Sequence, residues 1–548
     1  MICSKCGHVL ADDSAFCDNC GSVVPAQPRQ DLQQNIAAQM QAQNNAYQAN
    51  AMHNLETPAF TGPGTRTAAA KKPINKNLLI IGAAAAAAVV VLVIILIVVL
   101  SGNGGGASKY LYVKDGEVYL SDNGAKGWEV TSSYGSYGGC VLSKDGSKIL
   151  YSDRGAYYVR GTFEDSEPVK VASNINIYPH FDDGNTVVYQ NDDSLYRYIV
   201  NREEKIKVAS DVNRVYEVSD DCRKFLYETK DNGLYVVTDN SDNKEKIDSD
   251  VSDVHYNDDF TAFHYIKDGN IYFKRIGGER EKLVSEVSSI VTVNYSTNNF
   301  YYTKRDDSDS LLYYYCNGES NKVTSNSCEV RDNMKNGDVV IISEYDGTDT
   351  EYKLVRNGNA EKIDLGDNIY TIELSEDGKT LYYVSRDDDE HVYDLYKMNV
   401  SGGATDGELV DDELSDYTFR ITEDGHIVYI KDYNNSSYDL YADGVLIDSD
   451  VSGNVLYQDG IFYYLTDMSS GKGTLNSNTI NGKAKKIKDD VSDFHITSNG
   501  VVLFLYDVSS SGKGEFHYSN GGDSVKIDDD VTSILASNVR YETIYFRY

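Results

Sequence analysis

The chain has 548 residues and a formal net charge of −34, with 85 Asp and Glu against 51 Lys and Arg. That length exceeds one ordinary core, so several domains are expected. Residues 1–77 are nearly neutral, with six basic and five acidic side chains, while 45 basic and 80 acidic residues lie beyond position 100. So acidic a field repels phosphate backbones and anionic lipid, which argues against nucleic acid as a partner for the bulk of the chain.

The N-terminus reads MICSKCGHVLADDSAFCDNCGS, with Cys3, Cys6, Cys17 and Cys20 in two Cys-x-x-Cys pairs. Four thiolates at this spacing suit one tetrahedral Zn2+ and leave no open position for water, so the site is structural rather than catalytic. His8 is surplus to a complete set of thiolates and is expected to be solvated. The pattern CxxCG…FCxxCG, with Phe16 ahead of Cys17, is similar to the short zinc-ribbon domains at the N-termini of many bacterial membrane proteins. The ribbon is expected over 1–22.

Residues 23–77 are rich in Gln, Ala and Asn and read as a disordered tether. From Leu78 to Leu100 the chain has 23 uncharged residues, LLIIGAAAAAAVVVLVIILIVVL. As a helix they would extend about 34 Å, enough to cross a bilayer core. Lys71, Lys72 and Lys76 precede this run, and the Gly-rich linker 101–108 after it is uncharged. The positive-inside rule then predicts a single-pass protein of the cell membrane, with a cytoplasmic N-terminus and residues 109–548 outside the cell. A thiolate zinc site in the reducing compartment agrees with that orientation.

Beyond the span, a short apolar motif recurs as WEVTSS, VKVAS, IKVAS, EKIDSD, EKLVSE, NKVTSN, EKIDLG, GELVDD, VLIDSD, KKIKDD and VKIDDD. Its marker residues, from Val130, Val171, Val208, Ile247 and Leu283 through Val323, Ile363, Leu409, Ile447, Ile487 and Ile527, stand 36 to 46 residues apart. Within one unit, DVSDVHYNDD, TAFHYI, NIYFKRI and REKLVSE read as four half-buried strands, a to d. Asp-Gly or Asn-Gly often separates a from b, as at Asp145-Gly146, Asp377-Gly378 and Asn499-Gly500. Four short strands per 40 residues is the period of a β-propeller blade, and the fold class is mainly β.

The stretches LSKDGSKILYSDRGAYYVRG and ITEDGHIVYIKDYNNSSYDLYADG resemble the WD40-like repeats of TolB-type propellers, although Cys222 replaces the turn glycine and 288–300 lacks the turn motif. The resemblance implies a propeller region over 109–548. The N-terminal piece (110–130) is expected to supply strands b, c and d, and the C-terminal piece (531–548) strands a and b, so that a ring could close by pairing the chain ends. Eleven units exceed the usual 4–8 blades, so two consecutive propellers are expected, with a junction near 325–365.

Catalytic motifs are scarce. There is no Gly-x-Ser-x-Gly elbow, and the Asp-rich runs at 305–310 and 386–390 do not match an EF-hand. The 45 Tyr are read as strand residues with a polar tip, His255 and His264 as packing or surface residues, and Cys140, Cys222, Cys316 and Cys328 as free thiols, with a Cys316–Cys328 bridge as the alternative. The expected function is therefore non-catalytic: an extracellular region that binds a protein or glycan, and a cytoplasmic ribbon that binds a protein. The alternatives are a propeller enzyme acting on a polysaccharide, which needs paired carboxylates in a funnel, and a tethered regulator whose ribbon binds nucleic acid.

Overall fold

The computed structural model describes residues 109–546 apart from 133–139, 178–180, 182, 335–336, 388–391, 403–405, 435 and 536–540. The four N-terminal cysteines, the tether, the apolar run 78–100 and the Gly-rich linker lie outside the described residues. Among the described residues no helix is long and apolar enough to cross a membrane.

Residues 140–414 form seven four-stranded antiparallel sheets, each a sequential meander: 140–173, 176–209, 212–249, 252–285, 289–322, 328–363 and 369–414. The unit read from sequence as four runs is observed as Ser252–Tyr256, Ala262–Lys267, Asn270–Arg275 and Glu281–Ser285. From 420 the same meander continues in one 14-stranded sheet, which also takes in the three N-terminal strands within 109–131. The long strands Val445–Gln458, Lys485–Ile496 and Val525–Leu535 each act as strand d of one unit and, past a register shift, as strand a of the next.

The chain ends meet. Val525–Leu535 pairs antiparallel with Lys109–Lys114, in the register Leu111↔Leu535 and Tyr112↔Ile534. The last strand a is thus completed by b, c and d from the N-terminal side. The tail departs from expectation: Glu542–Ile544 adds to the edge of Val455–Tyr457 instead of becoming a strand b. The reason is topological, because Lys109–Lys114 already fills that position and the free edge at 455–457 is the one that can accept a strand.

Eleven hydrophobic clusters lie between consecutive sheets. Tyr301, Leu312, Val340 and Ile342 join the sheet of 289–322 to that of 328–363, and Val339, Leu354, Leu381 and Met398 join the latter to 369–414. Packing is therefore continuous across 325–365, where the repeat count suggested a junction. Leu111, Leu120, Ile149 and Tyr151 pack the N-terminal strands on the sheet of 140–173, and Tyr112, Phe516 and Ile527 pack them on the C-terminal side. First strands of neighbouring sheets lie close: Asp253 Oδ2 accepts from the Ile290 N–H at 2.5 Å and Asp332 Oδ2 from the Leu374 N–H at 2.6 Å. Strands a therefore form the hub.

In most units the repeat marker sits at a β-bulge, although Ile363 pairs directly with Tyr352 and Val323 follows the end of its strand. In the sheet of 212–249, Leu234 pairs with Asp248 and Tyr235 with Lys246, which leaves Ile247 unpaired. The same slip occurs at Val130, Val171, Val208, Leu283, Ile447, Ile487 and Ile527. In the sheet of 369–414 the bulged residue is Val410, not Leu409, which pairs with Tyr396 and is 49% exposed. A bulge lets two successive side chains face inward, so Ile247 and Asp248 are both buried.

Where it is Asp, the residue after the bulge clasps the next unit. Asp248 accepts from Tyr265 Oη at 2.9 Å, Lys267 Nζ at 2.7 Å and Arg280 Nη1 at 2.7 Å. Asp411 takes Tyr429 and Lys431, Asp448 takes Tyr464, and Asp528 takes Tyr112 and Lys114, at 2.6–3.0 Å. Many tyrosines also stack on a cross-strand tyrosine, as in Tyr112–Tyr119, Tyr189–Tyr196, Tyr265–Tyr272 and Tyr383–Tyr396, with centroids 5.2–5.9 Å apart. Much of the tyrosine content is thereby structural. Cys140, Cys222, Cys316 and Cys328 form no disulfide with one another, so the Cys316–Cys328 bridge is not made.

Candidate functional site

Strands a and c of each unit run toward the same end, so the a–b and c–d turns share one face. The a–b turn is built by its own side chains. Ser143 Oγ bonds Asp145 at 2.7 Å, the Gly146 N–H bonds the Ser143 carbonyl at 2.8 Å, and Gly146 takes φ +66°. Cys222 stands in the same place at φ +52° with its N–H on the Ser219 carbonyl, so the turn survives loss of the glycine that favours it. In 288–300 the turn is made differently, by Asn294 Oδ1 accepting from the Ser296 and Thr297 N–H groups at 2.9 and 3.1 Å.

A cavity of about 640 Å³ opens on this face at the hub, across the sheets of 252–285, 289–322 and 328–363. Its polar lining comes from His255, Asn257, Asp258, Asn294, Asn333 and Asp338, and its aromatic wall from Tyr256 and Tyr295. Asn294 Nδ2 donates to Asp338 Oδ1 at 2.8 Å and His255 Nε2 lies 3.2 Å from Asp253 Oδ1, so the lining is held in place. Burial raises the phenol pKa of both Tyr256 and Tyr295, which keeps them neutral hydroxyls. His255 and His264 are direct cross-strand partners with different fates. His255 reaches the cavity, whereas His264 is fully buried against Phe273, Tyr295 and Phe300 with neither ring nitrogen hydrogen-bonded. Burial, then the charges of His255 and Arg275, pushes its imidazole down to about 3.

A second cavity, about 380 Å³, is acidic and is lined by Glu423, Asp424, Asp459 and Glu542 with Tyr457 and Tyr541. It exists because the tail strand lies along Val455–Tyr457. Burial raises the Glu542 carboxyl, the Glu423 N–H on Glu542 Oε2 opposes this, and the charges of Glu423 and Asp424 add to the rise. Burial acts the same way on Asp424, but hydrogen bonds from Thr422 and Tyr457, both at 2.6 Å, hold it below the usual carboxylate range. Two neighbouring carboxyls are thus pushed in opposite directions. Sequence reading missed this set because Glu542 is more than a hundred residues from Asp424.

The Asp run at 305–310 is an exposed hairpin turn, and residues 388–390 of the other run lie outside the described residues. Among the described residues no group of three or more His, Cys, Asp or Glu side chains could hold a metal ion. Cys3, Cys6, Cys17 and Cys20 also lie outside them. Their donor chemistry, four soft thiolates in two pairs, fits Zn2+.

Residues 2–24 match the zinc-ribbon domain family. Comparison with curated proteins finds no match. Among solved structures, the chain is similar to a eukaryotic initiation factor at 11% identity, covering 63% of this chain and 96% of that one with a TM-score of 0.39. It is also similar to a putative TolB from Agrobacterium tumefaciens at 16% identity, covering 40% of this chain and 88% of that one with a TM-score of 0.24. A third similarity, to dipeptidyl peptidase 4 of Porphyromonas gingivalis, stands at 14% identity and a TM-score of 0.33, over 72% of this chain and 59% of that one. Scores this low bear on neither activity nor ligand.

Proposed function

We propose that the chain is a single-pass membrane protein whose acidic region, outside the cell, is one closed ring of eleven blades that binds a glycan without transforming it. The cytoplasmic ribbon, holding one structural Zn2+ on Cys3, Cys6, Cys17 and Cys20, is then an interaction module for another protein. The single ring is supported by the unbroken series of inter-sheet clusters and by the pairing of Val525–Leu535 with Lys109–Lys114. The apolar run 78–100 and the lysines before it support the anchor and its orientation.

The observation that carries the binding reading is the hub cavity. Amides, carboxylates and tyrosine rings in a held arrangement are what sugar hydroxyls and sugar faces require. The test is binding of cell-wall glycan fragments to the full chain in nanodiscs. We expect His255→Ala and Asn333→Ala to weaken binding at least tenfold while the melting curve stays in place. Absence of binding to any fragment, or equal binding by both variants, overturns the reading. For the ribbon, one zinc per chain is expected by metal analysis, and none after replacing Cys3 and Cys6 by Ser.

One observation favours a second reading, in which the acidic cavity hydrolyses a glycosidic bond. Glu542, its carboxyl raised, would donate the proton, and Asp424, held ionised, would act as base or nucleophile. Release of reducing ends from a polysaccharide, abolished in both Glu542→Gln and Asp424→Asn, would establish it. No release by the unaltered protein rejects it.

A further inference from the structure

In a region with 80 acidic and 45 basic residues, one cavity carries the opposite sign. It lies on the same turn face, between the units of 451–488 and 491–528, with a volume of about 390 Å³. Lys483, Lys485 and Lys486 line it from a single c–d loop and the start of strand d, and none of the lining residues is acidic. The opposite wall is the next c–d loop, Ser519 to Gly522. Lys485 Nζ reaches across to the Gly521 carbonyl at 2.6 Å and ties the two loops together. Lys486 pairs with Asp489, outside the lining, and Lys483 has no ion pair or hydrogen bond among the described residues.

We propose that this cavity binds the phosphate group of a soluble ligand. Three ammonium groups at one mouth create a local positive well that the overall negative charge does not erase, because opposite fields are screened within about 10 Å at ordinary salt. Hydroxyls of Ser477 and Thr479 add neutral donors around the same space, while the Ser519 hydroxyl donates to the Gly522 carbonyl at 2.9 Å and shapes the opposite loop. A phosphate, with about −1.5 to −2 charge and three strong acceptor oxygens, matches such a donor set better than the two oxygens of a carboxylate. The negative field of the whole region disfavours an anionic bilayer as the source, so a soluble phosphate ester is the occupant. The site is separate from the hub cavity and does not depend on the glycan reading.

The probe is sn-glycerol 3-phosphate, titrated calorimetrically into the full chain in nanodiscs of neutral lipid, with glycerol at equal ionic strength as control. Binding to the phosphate but not to glycerol, weakening as salt rises, is expected. The triple variant K483A/K485A/K486A should lose at least tenfold in affinity, and these exposed lysines should leave the melting curve unchanged. Asp489→Asn, which releases Lys486, should tighten binding severalfold. Equal affinity for glycerol, an unaffected triple variant, or binding only to phosphatidylglycerol vesicles would each overturn the proposal. The hub-cavity variants report on the glycan, so either reading can fail alone.

Discussion

The joint between the sheets of 212–249 and 252–285 and the joint between those of 140–173 and 176–209 are built on the same bulge but end differently. In the first, the residue after the bulge is Asp248, and it gathers Tyr265, Lys267 and Arg280. In the second it is Ala172, which packs with Tyr189, and the Tyr189 hydroxyl is buried with no hydrogen-bond partner among the described residues. Asn191, in the place of Lys267, only reaches the Ser173 carbonyl at 3.4 Å, where Lys267 reaches that of Ser249 at 2.7 Å. One backbone thus supports a polar clasp or an apolar contact. The polar version carries the joint where the chain ends meet, through Asp528, Tyr112 and Lys114.

The largest effect is therefore expected from Asp528→Ala. Its side chain is 2% exposed, and Lys114 would be left charged and largely buried without its partner. Breaking one side of a buried pair costs about 3–5 kcal/mol, here at the joint that closes the chain. Thermal and urea melts of the full chain should show this loss, and a loss no greater than that of an exposed Asp would break the comparison. Next in size is the converse. Ala172→Asp alone buries a charge beside the Tyr189 hydroxyl without a cation in the place of Lys267, and should cost roughly 2–4 kcal/mol. Adding Asn191→Lys supplies the missing cation, so the double variant should recover at least half of that loss. Strict additivity of the two changes would mean that the clasp is not a transferable unit.

The clasp also shows how much was legible. The period, the four strands and the turn glycines follow from local chemistry, namely alternation, β-branching and Asp-Gly, and the structure keeps them. The marker was visible as a motif, but not as a bulge, because a register slip is a relation between two strands. For that reason the motif GELVDD aligns on Leu409, whereas the residue that the register slip leaves unpaired is Val410. The Asp of IDSD and IDDD stood in plain view, yet its partners Tyr265 and Tyr112 lie on the next unit, and for Asp528 that partner stands more than four hundred residues earlier. The cavities were out of reach for the same reason. Each collects side chains from different repeat units, and the acidic one depends on a tail strand whose pairing no local pattern encodes.

Acid should separate the clasped joints from the hub. His264 titrates at about 3 when folded against an ordinary 6.5, so the unfolded chain binds the extra proton first. Its contribution is complete above pH 6.5 and is lost as pH falls from there toward 3, at up to about 1.4 kcal/mol per pH unit. Asp248 behaves differently. Burial alone would raise it, but Lys267, Arg280, the Ser249 N–H and Tyr265 hold it at about 2 against 3.8. Its contribution is present above 3.8 and disappears only as pH falls toward 2. Melts of His264→Phe should thus be flatter than those of the unaltered chain between pH 6 and 4, where Asp248 does not titrate, while Asp248→Asn should keep the slope there and flatten it only below 4. Identical profiles for the two variants would remove the distinction.

The smallest effects test the comparison most finely, because they change a single oxygen. Tyr265→Phe removes a hydrogen bond to a charged, buried acceptor, a class of contact worth about 1.5–3 kcal/mol. Tyr189→Phe removes the same atom from a joint where it has no partner, so it should be neutral or should stabilise by up to about 1 kcal/mol. Both rings keep their stacked partners, Tyr272 and Tyr196, in each variant, so packing cancels in the comparison. The sign is what decides. If Tyr189→Phe destabilises as much as Tyr265→Phe, the hydroxyl at the apolar joint has a partner after all, and the two joints are of one kind.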